Sequence, residues 1–172
     1  RCADCLQRGF NHHIMRHILN STGISRFPEH QYDMVRLGIC LYGIATMHDG
    51  SQDELRPVSS LYTTVISIKE WPAGTTIGYN RRGVLHRDSI VATIPVGYAD
   101  GLNRHLSNGH HSVMINGTRC PIVGNICMDA CMVDVTDCGE CHVGDRVEIF
   151  GPEIPVDTIA ETLDTIPYEI LT

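Results

Sequence analysis

The sequence predicts a mainly β fold preceded by a short stretch of α/β chain, and three observations predict it. After about residue 50 the chain falls into short runs rich in β-branched residues, separated by turns that carry glycine. Asn116-Gly117 stands between two such runs, and that pair readily takes the two positive φ angles of a tight hairpin turn. Before residue 50, helix-like and strand-like stretches alternate instead, which is the pattern of βα units.

In chain order, ADCLQR (residues 3–8) reads as a short helix and HIMRHILN (13–20) as a strand. The polar segment opening with Ser21-Thr22-Gly23 reads as a second helix and MVRLGICLYGI (34–44) as a second strand. Two such units are too few to close a sheet or a barrel, so residues 1–48 read as the end of something larger. HDGSQDELRP (48–57) is a polar linker closed by Pro57. Residues 49–172 then form the β domain, with strands expected at SLYTTVISI (60–68), SIVATIPVG (89–97), SVMING (112–117), CMVDVTD (131–137) and RVEIF (146–150). One late amphipathic helix is expected over Asp157 to Leu163, with Asp157 as its N-cap and Pro167 just past its end.

Composition narrows the function classes. The chain of 172 residues is 42% hydrophobic and 19% charged, and no apolar run approaches the roughly 18 residues that cross a membrane. A net charge of -7 with a pI near 5.7 argues against broad contact with phosphate backbones. Neither nucleic acid nor membrane is therefore expected as a partner, and no targeting segment is expected. Eight cysteines stand at 2, 5, 40, 120, 127, 131, 138 and 141, forming the pairs CADC and CGEC. The pairs lie too far apart for a zinc ribbon, so free thiols of a cytoplasmic protein are expected, and zinc at Cys138, Cys141 and His142 stays open. The doublets His12-His13 and His110-His111 sit in polar stretches and read as exposed loops.

Chemistry-bearing residues appear at several places. Ser21, in Asn-Ser-Thr at the end of the first expected strand, offers a hydroxyl beside a helix N-terminus, a combination that suits an anion such as phosphate. Arg36 lies in an otherwise apolar strand and must meet a partner or a ligand, and Gly38-Ile39 offers backbone N–H groups with little bulk. Taken alone, TIGYNRRG (76–83) reads as a strand ending in a half-buried tyrosine, Tyr79, followed by two arginines.

HILNST, RFPEHQYDMVRLGICLYG, IGYNRRG, IPVGYADGLNR and PIVGNICMDACMVDVTD, in this order and at these separations, closely resemble alanine racemase, a fold-type III enzyme that uses pyridoxal phosphate. The match covers nearly the whole chain but only the C-terminal part of the family's sequence. The resemblance implies the family's C-terminal β-barrel domain, preceded by the last βα units of a truncated (β/α)8 barrel. It implies cofactor phosphate contacts at Ser21, Gly38 and Ile39, and Arg36 facing the pyridine nitrogen. It assigns Tyr79 as one of two acid/base groups, reaching into the partner subunit of a homodimer. Tyr98 and Arg104 match residues of the substrate corridor, the backbone of Met128 matches a contact to the carboxylate of a small amino acid, and Asp129 reads as structural. The family often carries arginine before Ile-Cys-Met-Asp, whereas this chain has Asn125, which changes the charge of the outer corridor.

The family's cofactor-holding lysine lies upstream of Arg1, and Lys69, the single lysine here, reads as surface-exposed at a strand end. The 172 residues are therefore expected to be an inactive fragment of a racemase that supplies D-alanine for peptidoglycan. Some of the stretches also resemble the racemase halves of proteins with an upstream peptidoglycan-building ligase domain. The contrasting reading is a non-catalytic β-barrel interaction module, stabilised by zinc. Within the enzyme class, serine remains open as a substrate beside alanine.

Overall fold

The computed structural model describes residues 2–47 and 51–172 and divides the chain into two compact units, Arg1–Val58 and Ser59–Thr172. The boundary expected between residues 48 and 49, and the start of the linker, fall on residues 48–50 and lie outside the described residues.

The first unit runs α1 (Cys2–Gln7), β1 (His17–Asn20), α2 (Ser21–Arg26) and β2 (Met34–Arg36), with short 3₁₀ turns at Pro28–His30, Ile39–Tyr42 and Ser51–Glu54. β1 and β2 pair in parallel, with His17 opposite Met34 and Asn20 opposite Arg36, so α2 makes the crossover of a βα unit. Asn20 caps α2 by accepting from the Gly23 N–H (3.0 Å). The strand expected over 34–44 stops at Arg36, because the chain turns at Gly38 and winds into the 3₁₀ turn that carries Ile39 into the interior. That turn ends at Gly43, whose φ of +77 and approach to the Arg56 carbonyl, 1.8 Å from where a Cβ would stand, admit only glycine. Gln52 clamps the same corner, donating to Gly43 O (3.0 Å) and accepting from Ala45 N (2.7 Å).

The second unit contributes β3 (Leu61–Thr64), β4 (Ser67–Trp71), β5 (Thr76–Ile77), β6 (Gly83–Val84), β7 (Ser89–Ile94), β8 (Ser112–Ile115), β9 (Thr118–Val123), β10 (Cys131–Asp134) and β11 (Arg146–Phe150). The helices α3 (Val156–Thr162) and α4 (Pro167–Leu171) follow. Among the described residues seven strands form one antiparallel sheet in the order β3-β11-β8-β9-β10-β7-β4, and β5 and β6 pair separately as a small hairpin. β3 and β4 are consecutive in sequence yet sit at opposite edges of the sheet. The two residues between them bond to both sides: Val65 donates to Asp145 O (2.9 Å), and Ile66 donates to Thr93 O (2.9 Å). The sheet is thereby curled upon itself as a β-barrel, and the stretch expected as one strand over 60–68 is two strands joined by a corner.

Inward apolar residues of β7 to β11 fill the barrel with Ile94, Val113, Ile115, Ile122, Val133 and Val147, and burial alternates along β8 and β10. The Asn116-Gly117 hairpin forms as expected, with φ of 47 and 77. The late helix begins one residue early: Pro155 is its cap and Asp157 lies inside the first turn. Val156, Ile159 and Ala160 face inward at helical spacing, while Pro167 opens α4. Glu148, a buried carboxylate, accepts from the N–H groups of Glu153 (2.8 Å) and Ile154 (2.9 Å) and so ties the loop after β11.

His110-His111 corrects a sequence expectation, because His111 is buried rather than in an exposed loop. Its Nε2 lies 3.3 Å from Ile149 O. A carbonyl only accepts, so that nitrogen carries the hydrogen. Burial pushes its pKa below 6.5, against the Ile149 carbonyl and with the help of the Arg119 charge.

Two predictions follow from this packing. Ile115, fully buried, should cost about 2–5 kcal/mol when changed to Ala, whereas exposed Val143→Ala should stay within about 0.5 kcal/mol, both read from urea unfolding. Below pH 6.5 the unfolded chain takes up a proton at His111 that the folded chain refuses. Stability should therefore fall as pH drops from 7.5 to 5.5, and the fall should be shallower in His111→Gln.

Candidate active site

The expected site residues divide between the two units. In the first, Ser21 is the opening residue of α2 and only 1% exposed, and its Oγ accepts from the Gly38 N–H (2.9 Å). The structure thus brings together Ser21 and the Gly38-Ile39 turn, 17 residues apart in sequence. A hydroxyl that accepts one N–H still has its own hydrogen to donate, and Ile39, first in its 3₁₀ turn, has a backbone N–H without a partner inside that turn. Arg36 ends β2 next to these groups, and its guanidinium donates to Ile18 O (3.1 Å). A set made of N–H and O–H donors beside a guanidinium suits a phosphate-bearing ligand.

In the second unit the remaining residues gather on one loop, Gly124–Ala130, between β9 and β10. Tyr98 N–H donates to Cys127 O (3.0 Å) and Ala99 N–H to Met128 O (2.8 Å), so the 3₁₀ turn Tyr98–Asp100 is docked directly on the loop. Gly97 makes this approach possible, since a Cβ there would stand 2.4 Å from Cys127 O. Asp100 closes the turn by accepting from Gly97 N (2.9 Å). Arg104 opens the next 3₁₀ turn, capped by Asn103, and its charge is felt at Cys127, whose pKa is raised by burial and by Asp129 and lowered by Arg104. Tyr98 and Met128 both present exposed side chains.

Tyr79 is placed differently from its expectation. It does not end a strand and is not half-buried. It opens a 3₁₀ turn, Tyr79–Arg81, at the tip of the β5–β6 hairpin, with 70% of its surface exposed. Asn80 and Arg81 follow with φ of 58 and 54, so strand alternation does not decide where the arginines point. Arg81 Nε donates to Thr76 Oγ1 (2.9 Å). The hairpin in turn rests on the loop: a Cβ on Gly83 would stand 2.6 Å from Gly124 N, and one on Gly124 would stand 2.7 Å from Ile77 O. Asn125 Nδ2 donates to Tyr79 O (3.0 Å) and Asn125 Oδ1 accepts from Asn108 Nδ2 (3.2 Å). Asn108 escaped the sequence reading, although Asn108-Gly109 carries the same turn signal as Asn116-Gly117.

The cysteines do not assemble a metal site. Cys138 is buried and its thiol donates to Ile115 O (3.3 Å). Among the described residues no three His, Cys, Asp or Glu side chains converge closely enough to hold a metal ion. Burial pushes Cys120 and Cys131 up to about 12 and Cys141 up to about 11, which keeps these thiols protonated at neutral pH.

Residues 58–172 match the family model "Alanine racemase, C-terminal domain" and residues 1–46 match "Alanine racemase, N-terminal domain". Alanine racemase of Clostridium kluyveri is 44% identical over 163 residues, covering 91% of this chain and 41% of that protein. Alanine racemase 2 of Caldanaerobacter subterraneus subsp. tengcongensis is 45% identical over 179 residues, covering 99% of this chain and 46% of that protein. Among solved structures, alanine racemase of Clostridium difficile 630 superposes with a TM-score of 0.90 at 36% identity, covering 98% of this chain and 44% of that one. The Bartonella henselae alanine racemase, solved with covalently bound pyridoxal phosphate, gives a TM-score of 0.84 at 36% identity over 98% of this chain and 47% of its own. The chain thus spans less than half the length of these relatives.

The close approach at Gly97 yields a stability prediction. Gly97→Ala should destabilise the chain by about 1–3 kcal/mol, because backbone must move. Gly101→Ala, at φ +95 but with open space around it, should cost less, about 1 kcal/mol; equal losses in urea unfolding would refute the steric argument.

Proposed function

The chain belongs to the alanine racemase family, and we propose that it forms part of an enzyme that interconverts L- and D-alanine with pyridoxal phosphate, in which Tyr79 is one of two acid/base groups. The observation that carries this reading is an exposed phenol on a turn whose backbone is tied down, a group presented to something outside its own unit.

Inverting a Cα requires that a proton leave one face and another arrive on the opposite face, so two groups must flank it. Tyr79 is proposed to work on one face, reaching into the cofactor site of a partner subunit in a homodimer. A phenol is a poor base at neutral pH unless nearby positive charge stabilises its phenolate. The other group is assigned to the lysine that holds the cofactor, which is sought outside these 172 residues: Lys69, the only lysine, is exposed on β4 opposite Val91. The 172 residues alone are accordingly expected to be inactive.

The residues of the first unit fit the cofactor. Ser21 Oγ and the Gly38-Ile39 backbone would hold its phosphate, and Arg36, which does not give up its proton, would leave the ring nitrogen unprotonated. When bound, the cofactor spreads the negative charge left on Cα, and an unprotonated ring does so weakly, which disfavours transamination relative to racemisation. The Met128 N–H would meet the substrate carboxylate, since of the two backbone groups only the N–H donates. Tyr98 and Arg104 would line the approach. A cytoplasmic place and a supply of D-alanine for peptidoglycan complete the reading.

The test is racemisation of alanine in D2O by the complete parent protein, comparing wild type with Tyr79→Phe and following deuterium at Cα from each enantiomer. Turnover should fall about a hundredfold or more, with exchange surviving mainly from the enantiomer handled by the lysine. Unchanged turnover from both enantiomers removes Tyr79 from the chemistry.

A further inference from the structure

We propose that Asn125 is a positioning residue for Tyr79, acting through the Tyr79 backbone, and that Asn108 sets the orientation of the Asn125 amide. This rests on the reading of Tyr79 as an acid/base group. The need for such a device is visible in the turn itself. With 70% of its surface exposed, the Tyr79 side chain gains little fixation from packing. The two residues after it hold left-handed backbone angles that L side chains rarely adopt: Asn80 at φ 58 and Arg81 at φ 54. A turn of this kind relaxes unless its surroundings hold it.

Three contacts do so. Arg81 N–H closes the turn on Gly78 O (3.2 Å), and Arg81 Nε is tied to Thr76 Oγ1 (2.9 Å); both are internal to the hairpin. The third, Asn125 Nδ2 to Tyr79 O (3.0 Å), comes from the loop and bonds to Tyr79 itself. It fixes the peptide plane after Tyr79 and with it the direction of the Cα–Cβ bond that carries the phenol.

The amide has one way round. The Tyr79 carbonyl only accepts, so Asn125 must turn its NH2 toward it, which leaves Oδ1 facing Asn108 Nδ2 (3.2 Å). Asn108 is itself held by its backbone N–H on Gly124 O (3.1 Å). An amide is the group that serves both neighbours: arginine offers donors to Tyr79 O but no acceptor to Asn108, and aspartate accepts from Asn108 but gives nothing to Tyr79 O. The space is tight as well, since a Cβ on Gly78 would stand 3.2 Å from Asn125 N.

The experiment uses the complete parent protein with Asn125→Ala and the isosteric Asn125→Asp. Two readouts are taken: hydrogen exchange of the Arg81 amide, and deuterium incorporation at Cα of alanine from each enantiomer. Both variants should speed Arg81 exchange about tenfold and lower kcat about tenfold with KM little changed, the deficit falling on the proton transfer assigned to Tyr79. Wild-type exchange and kinetics in Asn125→Asp would overturn the proposal, because that variant keeps the shape, loses the donor and sets a negative charge against the Tyr79 carbonyl. An equal deficit at both faces accompanied by a lowered Tm would also overturn it, as the mark of a merely structural residue. If the wild-type parent fails to racemise alanine, the functional reading fails, while the exchange arm still decides whether Asn125 holds the turn.

Discussion

Backbone-to-backbone contact at the loop Gly124–Ala130 is the constraint on which the candidate site depends. Two turns lean on this loop from different directions, the hairpin tip with Tyr79 and the turn with Tyr98, and each does so at a distance that excludes a Cβ. Glycine at 83, 97 and 124 is therefore a steric requirement of the site and not a sign of slackness. The loop is held from inside by Ser107, whose buried Oγ accepts from Ile126 N (3.0 Å), and by its own Cys127 N–H to Ala130 O (2.9 Å). Because the backbone carries these contacts, the outward side chains of Tyr98 and Met128 are free to serve chemistry without moving the frame.

The loop's position follows from strand register. Ile94 of β7 lies opposite Cys131 of β10, and counting outward in an antiparallel pair sets Gly97 against Met128 and Tyr98 against Cys127. The bond from Tyr98 to Cys127 keeps that register past the ends of the strands, whereas the bond from Ala99 to Met128 leaves it as the chain winds into its 3₁₀ turn. Register in turn is fixed by burial, since a slip of one residue would turn Ile94 and Val133 outward. The corner at Val65-Ile66 completes this chain of dependence by joining the two edge strands, β3 and β4, in one continuous stretch of backbone.

What the sequence made legible follows the same physics. Strands with alternating burial and the Asn116-Gly117 turn were readable because local pattern and tertiary demand agree there. The corner at Val65-Ile66 was not, because neither residue is a turn former and the bend is imposed by two sheet edges that sequence does not place. The run 34–44 misled for the opposite reason: an apolar stretch serves a strand or a buried 3₁₀ turn equally well, and only Gly38 and Gly43 hint at the break. The same holds for His111, whose polar doublet concealed a buried ring. Of the candidate residues, Ser21 with Gly38 and Tyr98 with Met128 were named from the family resemblance, whereas the docking of the Tyr98 turn on the Cys127-Met128 backbone and the Asn108–Asn125–Tyr79 relay needed coordinates.

The arginines after Tyr79 illustrate how exposure and fixation divide between stem and tip. Arg81 is spent on Thr76, inside its own hairpin, so its contribution is to hold a left-handed turn. Tyr79, two residues earlier, has its carbonyl held by Asn125 while its ring stays exposed. A residue built for its own unit's stability would reverse this, burying the ring for about 2 kcal/mol and leaving the backbone to water. An exposed ring on a fixed stem forgoes that stabilisation, and what it gains is orientation, since a reacting group held in one direction has little freedom left to lose when its target arrives.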